Sequence, residues 1–108
     1  MKILLDENLP IKLRVDFGEE HNIYSVSFMG WSGKKNGELL GLMVYHGFEA
    51  LVTLDKNIPF QQNIEKFPIR YFVLDASENK ISTLQPYILA LQQLLVEGND
   101  DKVLVVQI

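Results

Sequence analysis

The sequence predicts an α/β fold in which a mostly parallel five-stranded sheet is sandwiched by helices, and three observations carry that expectation. Short apolar runs alternate with stretches of helical spacing in the order βαβαβ(α)βαβ. Two of those runs stop abruptly in acids, Ile3-Leu4-Leu5-Asp6-Glu7-Asn8 and Leu51-Val52-Thr53-Leu54-Asp55-Lys56-Asn57, as buried parallel strands do where they reach the rim of a sheet. Glycines stand where two of the helices need a C-terminal stop, at Gly47 and Gly98.

Lys2 to Leu5 reads as the first strand. In the Asp6-Glu7-Asn8-Leu9-Pro10 segment that follows, Asp6 or Asn8 can cap a helix and Pro10 suits its first turn. The next stretch carries two periods at once. Leu9, Ile11, Leu13, Val15 and Phe17 alternate with polar residues, yet Leu9/Leu13/Phe17 and Ile11/Val15 also stand four apart. The proline and the caps favour a helix.

Ile23 to Phe28 is β-branched and aromatic enough for a second strand, and Met29 to Lys35 follows as a loop rich in Gly and Ser. Asn36 is placed to cap a helix that buries Leu39, Leu40, Met43 and Val44 and stops at Gly47. Phe48 to Leu54 makes the third strand. Lys56 to Pro68 is a polar connection with two prolines, able to cover a site and to hold at most a short helix around Gln61 to Glu65. Ile69 to Leu74 gives the fourth strand. A capping box of Ser82 and Gln85 opens the longest helix, with Leu84, Ile88, Leu91 and Leu95 on one face, and Val103 to Val106 forms the last strand.

The chain of 108 residues, 47% hydrophobic and 22% charged, suits one compact domain spanning 1–108. The absence of Cys excludes disulfides, thiolate catalysis and Cys-ligated metal sites, and makes a reducing cytoplasm the simplest compartment. No stretch approaches a membrane span, and the N-terminus runs straight into a strand instead of a signal peptide. A formal charge of −4 weakens general affinity for nucleic acid. A protein that meets phosphates through metal ions, however, carries acidic ligands for them.

In a doubly wound order such as 2-1-3-4-5, the first and third strands are neighbours at the switch point, and ligands bind in the crevice there. Asp6 and Asp55 both point into it. Converging carboxylates in a cleft either hold a divalent cation, Mg²⁺ or Mn²⁺ preferring oxygen ligands, or shift each other's pKa. Either residue alone reads most simply as a cap or turn former; the pair at matching strand ends gives the functional reading its weight. Asp75, after the fourth strand, is a further acid with a turn-forming alternative. Asn36 and Glu38 open a helix expected to start at the opposite rim, unless the preceding loop folds it back. Trp31, Lys34 and Lys35 in that loop can stack on and steer single-stranded RNA, or form a solvated loop around a partly buried Trp. His21 and His46 make no triad.

The segments Leu5-Asp6-Glu7-Asn8-Leu9-Pro10, Asn36-Gly37-Glu38-Leu39-Leu40 and Leu51-Val52-Thr53-Leu54-Asp55-Lys56-Asn57 together resemble the PIN-like domains of the DUF5615 family, relatives of the nuclease toxins of toxin–antitoxin pairs. The similarity runs from Met1 to the neighbourhood of Asp75. It implies a three-layer α/β/α PIN-like sandwich of Rossmann-like type and an Mg²⁺- or Mn²⁺-dependent ribonuclease site, with RNA as substrate and a cognate antitoxin as partner. By that resemblance Asp6 and Asp55 are acidic metal ligands and catalytic residues. The position matching the family's helix-opening Asp is Asn36, so Glu38, two residues on, stands in as the third acid. Around them, Glu7 and Asn8 can tune the ligands, Thr53 can hydrogen-bond a carboxylate, and Lys56 can neutralise a phosphate oxygen.

Two other readings compete. A phospho-receiver also uses acids after its first strand and an Asp after its third, which Asp6, Glu7, Asp55 and Ser77 could supply, but no Lys follows the last strand to contact the phosphate. A catalytically degenerate PIN-like domain kept for binding RNA or protein is the stronger rival, favoured by Asn36 and a pI near 5.0. The apolar edge Val103 to Ile108 is open to a second chain, as in a homodimer.

Overall fold

Apolar residues at alternate positions split each strand between the two faces of one sheet. The computed structural model describes residues 1–61 and 64–108. Its strands are β1 (Lys2–Leu5), β2 (Asn22–Ser25), β3 (Ala50–Thr53), β4 (Arg70–Leu74) and β5 (Val103–Val106), and its α-helices are α1 (Asn36–Tyr45) and α2 (Ile81–Val96). All four strand pairings are parallel, and the order is β2-β1-β3-β4-β5. This is the doubly wound, Rossmann-like arrangement that the alternation of elements requires.

On one face Ile3, Leu5, Ala50, Val52, Phe72, Leu74, Leu104 and Val106 pack against Leu84, Ile88 and Leu91 of α2 and against Leu13 and Phe17. On the other, Leu4, Leu51, Tyr71 and Val73 pack against Leu39, Leu40 and Met43 of α1. Each fully buried Leu or Ile in these layers contributes about 1.5–3 kcal/mol relative to exposure. Strands buried on both faces read as continuous apolar runs, which is why Ala50–Thr53 is buried at every position.

The segment after β1 is a 3-10 helix, Ile11–Phe17, where the sequence pattern suggests an ordinary helix. Leu9, Leu13 and Phe17 are buried at four-residue spacing, while Ile11 and Val15 stand exposed. Pro10 occupies its N-cap with no side-chain cap bond, and the β-branched Ile11 and Val15 on the outer side add little helical support. The expected caps at the other helix starts also differ. Lys35 and Lys80 are the N-caps, neither with a side-chain cap bond, so Asn36 and Ser82 lie inside their helices.

Both helix ends follow the glycines. Gly47 N–H bonds Val44 O and Phe48 N–H bonds Met43 O, a Schellman closure that the positive φ of 78° at Gly47 permits. The second strand is shorter than Ile23 to Phe28, because Phe28 N–H donates to Ser25 Oγ and Met29 N–H to Ser25 O, turning the chain out of the sheet. Val44, expected on the buried side of α1, is 40% exposed. The connection after β3 holds two single 3-10 turns, Ile58–Phe60 and Ile64–Lys66. The short helix expected around Gln61 to Glu65 falls partly on residues 62–63, outside the described residues.

The helix α1 starts at the carboxyl rim of the sheet, contrary to the expectation of the opposite rim. A helix crossing back between parallel strands must begin where the preceding strand ended. Accordingly Gly33 N–H, just before α1, donates to Glu7 Oε1 beside β1, while the far end of α1 meets the start of β1 through Lys2 Nζ and His46 O. No helix among the described residues is long and apolar enough to cross a membrane.

Candidate functional site at the carboxyl rim

β1 and β3 are neighbours in the middle of the sheet, and their following segments leave toward opposite faces. Asp6, directly after β1, and Asp55, shortly after β3, therefore emerge at the same rim, at the switch point. The ladder continues one step beyond β1, because Asp6 N–H donates to Val52 O at 2.9 Å.

One buried hydroxyl links the two acids. Thr53, with no exposed surface, donates its Oγ1 proton to Asp6 Oδ2 at 2.6 Å, and the same oxygen accepts Asp55 N–H at 3.0 Å. A carboxylate cannot donate, so the direction of the first bond is fixed. Asp6 Oδ1 accepts Glu7 N–H and Asp55 Oδ1 accepts Asn57 N–H, each at 2.9 Å. These bonds hold both side chains in defined orientations at a half-buried rim.

The remaining residues singled out in the sequence lie around this pair in different relations to it. Glu7 is exposed and receives Gly33 N–H at 3.2 Å, pinning the loop before α1 against the rim. Asn8 is exposed, and its carbonyl accepts Asn79 Nδ2 at 3.4 Å. Asn36 donates its amide to Gln61 Oε1 at 2.9 Å, tying the start of α1 to the segment after β3. Glu38 is exposed and pairs with Lys34 at 2.9 Å, one turn back. The structure thus brings Asp6, Thr53 and Asp55 together and directs Glu38 to Lys34. No group of three His, Asp or Glu side chains able to hold a metal is found among the described residues.

Lys56 and Asp75 form a second constellation at the same rim. Lys56 Nζ lies 2.6 Å from Asp75 Oδ1, and Gln107 Nε2 donates to Asp75 Oδ2 at 3.1 Å. The Lys56 hydrogen bond, with that from Gln107 and the charge of Lys56, holds the Asp75 carboxyl below its ordinary value. Asp75 O also accepts the Tyr87 hydroxyl at 2.8 Å, so α2 is latched to the end of β4. A phosphate oxygen reaching Lys56 must compete with this carboxylate.

Trp31 belongs to the core, 7% exposed, with its ring 5.8 Å from Phe48 and 5.2 Å from His46. It is therefore not a platform for stacking a base. His21 Nδ1 is buried without a hydrogen-bond partner among the described residues, and burial, then the N-terminal charge, pushes its pKa down. Sequence reasoning does not point to Gln61 or Gly33, whose roles depend on contacts across the rim. Glutamine and glycine in loops carry no pattern that would have found them.

Two carboxylates with no nitrogen or sulfur donors make an oxygen-only set of the kind that takes Mg²⁺ together with waters and substrate phosphates. Asp55 Oδ2 carries no hydrogen bond among the described residues, and each bonded carboxylate oxygen retains acceptor capacity. The donor chemistry of Asp6 and Asp55 fits such a cation. No family model, curated protein or solved structure matches the chain.

Proposed function

We propose that the protein is a PIN-like, Mg²⁺- or Mn²⁺-dependent ribonuclease, acting as the toxin half of a toxin–antitoxin pair, with Asp6 and Asp55 as the metal-holding acids. The observation that supports this most is the Thr53 hydroxyl, bonded to the Asp6 carboxylate and to the Asp55 backbone at the switch point of the sheet. When bound, the cation would polarise the scissile phosphodiester and lower the pKa of water.

The chain's own residues do the placing. Asp6 and Asp55 present oxygen ligands from rigid strand ends, and Thr53 and the Glu7 N–H keep the Asp6 carboxylate in one orientation. Lys56, next to Asp55, offers a cation to a substrate phosphate once it exchanges Asp75 for that anion. Glu38 joins only if it leaves Lys34, an exposed pair of the kind worth about 0.3–0.5 kcal/mol.

The engagement of Glu38 with Lys34 and of Asn36 with Gln61 favours a second reading, a degenerate PIN-like domain that binds RNA or an antitoxin without cutting. Titrating Mg²⁺ or Mn²⁺ while following thermal unfolding, alongside cleavage of an RNA panel, separates the two. Native-state binding at a hundredfold excess over Kd stabilises by about 2.7 kcal/mol. The nuclease reading expects both a shift and metal-dependent cleavage. No shift at millimolar metal, with no cleavage, removes it.

A further inference from the structure

The outer edge of β5 combines three features that the rim chemistry does not use. The first is unspent backbone. Tyr71 N–H donates to Lys102 O and Asp75 N–H to Val106 O, so the even-numbered residues of this segment face β4. In a parallel ladder the intervening residues turn both backbone groups the other way, which leaves Val103, Val105 and Gln107 aimed outward from the last strand of the sheet.

The second is the absence of any guard. Residues 103–108 contain no charge, proline or glycine, and Lys102, which could shield the edge, is turned back to Phe67 O at 2.7 Å. Val105 and Ile108 are 48% and 72% exposed. β2, at the opposite edge, ends in the turn built on Ser25. Natural sheets normally protect such an edge unless it is paired.

The third is the flank of α2 above it. Gln85 and Gln92 bond Asp16 and Phe17 O, marking the side of α2 that faces the 3-10 helix. The other flank, Thr83, Tyr87, Ala90 and Leu94, is half-buried and uncharged, and the Tyr87 hydroxyl on Asp75 O fixes it on the β4–β5 side.

We propose that this edge binds a second copy of the chain, with β5 pairing antiparallel to its symmetry mate about a two-fold axis through Val105. In that register Val105 lies opposite itself and Val103 opposite Gln107, so no charge enters the paired segment. Moving the axis to Val103 would bring Asp100 and Asp101 against valines. The pairing is self-complementary, as a two-fold interface must be. Strand pairing of this length falls short of the roughly 800 Å² per partner of a standard interface. The uncharged flank of α2, with small Ala90 at its middle, supplies the additional contact. Asp6 and Asp55 follow β1 and β3, with β4 between β3 and this edge strand, and the proposal stands whether or not the rim cleaves RNA.

The chain lacks cysteine, so a single Val105→Cys reports the axis directly. Residues opposite one another in a hydrogen-bonded antiparallel pair have Cα atoms about 5.5 Å apart, within the usual range of about 4.4–6.8 Å for a disulfide. Under mild oxidation Val105→Cys should form covalent dimer several times faster than Val15→Cys, an exposed site on the 3-10 helix. Sedimentation of the unmodified protein should show a reversible monomer–dimer equilibrium. Val105→Pro, and independently Val105→Lys should the proline variant fail to fold, should shift it to monomer. A protein that stays monomeric at hundreds of micromolar, equal cross-linking rates at the two cysteines, or a dimer that persists in a folded Val105 variant would overturn the proposal.

Discussion

Thr53 and Asp6, 47 positions apart in sequence, are joined by a 2.6 Å hydrogen bond between a fully buried hydroxyl and a half-buried carboxylate at the middle of the sheet. Because the same hydroxyl accepts the Asp55 N–H, one side chain touches both the Asp6 carboxylate and the Asp55 backbone.

Replacing that hydroxyl by a methyl group in Thr53→Val keeps the shape and leaves the Asp6 oxygen and the Asp55 N–H without this partner. Chemical denaturation should show a loss of about 1–3 kcal/mol. Metal affinity should fall as well, by about 10–100-fold, the usual cost of removing an outer partner of a ligand. Unchanged stability and affinity would mean that Thr53 does not organise the rim.

The Lys56–Asp75 pair predicts a pH dependence whose sign follows from the lowered Asp75 pKa. A carboxyl held below its ordinary value of 3.8 in the folded state contributes stability that is present above that value and is lost as pH falls through the folded pKa. The stability difference between the native protein and Asp75→Asn should therefore be seen at neutral pH and shrink in acid. A difference that stays constant from neutral pH down through the acid range would rule out the ionised pair as its source.

Tyr71 makes the opposite statement at the alkaline end. Burial, reinforced by the charge of Glu65, pushes its phenol from 10.0 up to about 12. Here the folded pKa exceeds the unfolded one, so the contribution is complete below pH 10 and is lost as pH rises toward 12. Tyr71→Phe should flatten that decline in a urea-unfolding series, and a decline of the same slope in the variant would place its origin elsewhere.

The fold was legible where physics is local and repeated. Apolar runs at β1, β3, β4 and β5 and the glycine stops at Gly47 and Gly98 each carry their signal within a few residues. Helix starts were less legible: Asn36 and Ser82 have capping chemistry, yet Lys35 and Lys80 take the N-cap positions without side-chain bonds, so no residue type marks those starts. The 3-10 helix was ambiguous because Leu9, Leu13 and Phe17 fit a helix while the alternation with Ile11 and Val15 fits a strand.

Of the candidate site, the positions of Asp6 and Asp55 followed from the parallel topology, and Thr53 from its place at the end of β3. The engagements of Glu38 with Lys34, Lys56 with Asp75 and Asn36 with Gln61 did not. They depend on where flexible side chains settle after the loops fold, and several partners stand within reach of each.

The most direct test is Mn²⁺ binding followed by electron paramagnetic resonance for the native chain, Asp6→Asn and Asp55→Asn, with circular dichroism to verify that each variant is folded. A cation held by both acids should appear as a bound signal in the native protein and weaken strongly in each variant. Native protein that leaves all Mn²⁺ free at millimolar concentration, or binding that is equal in all three proteins, would exclude a metal centre at Asp6 and Asp55.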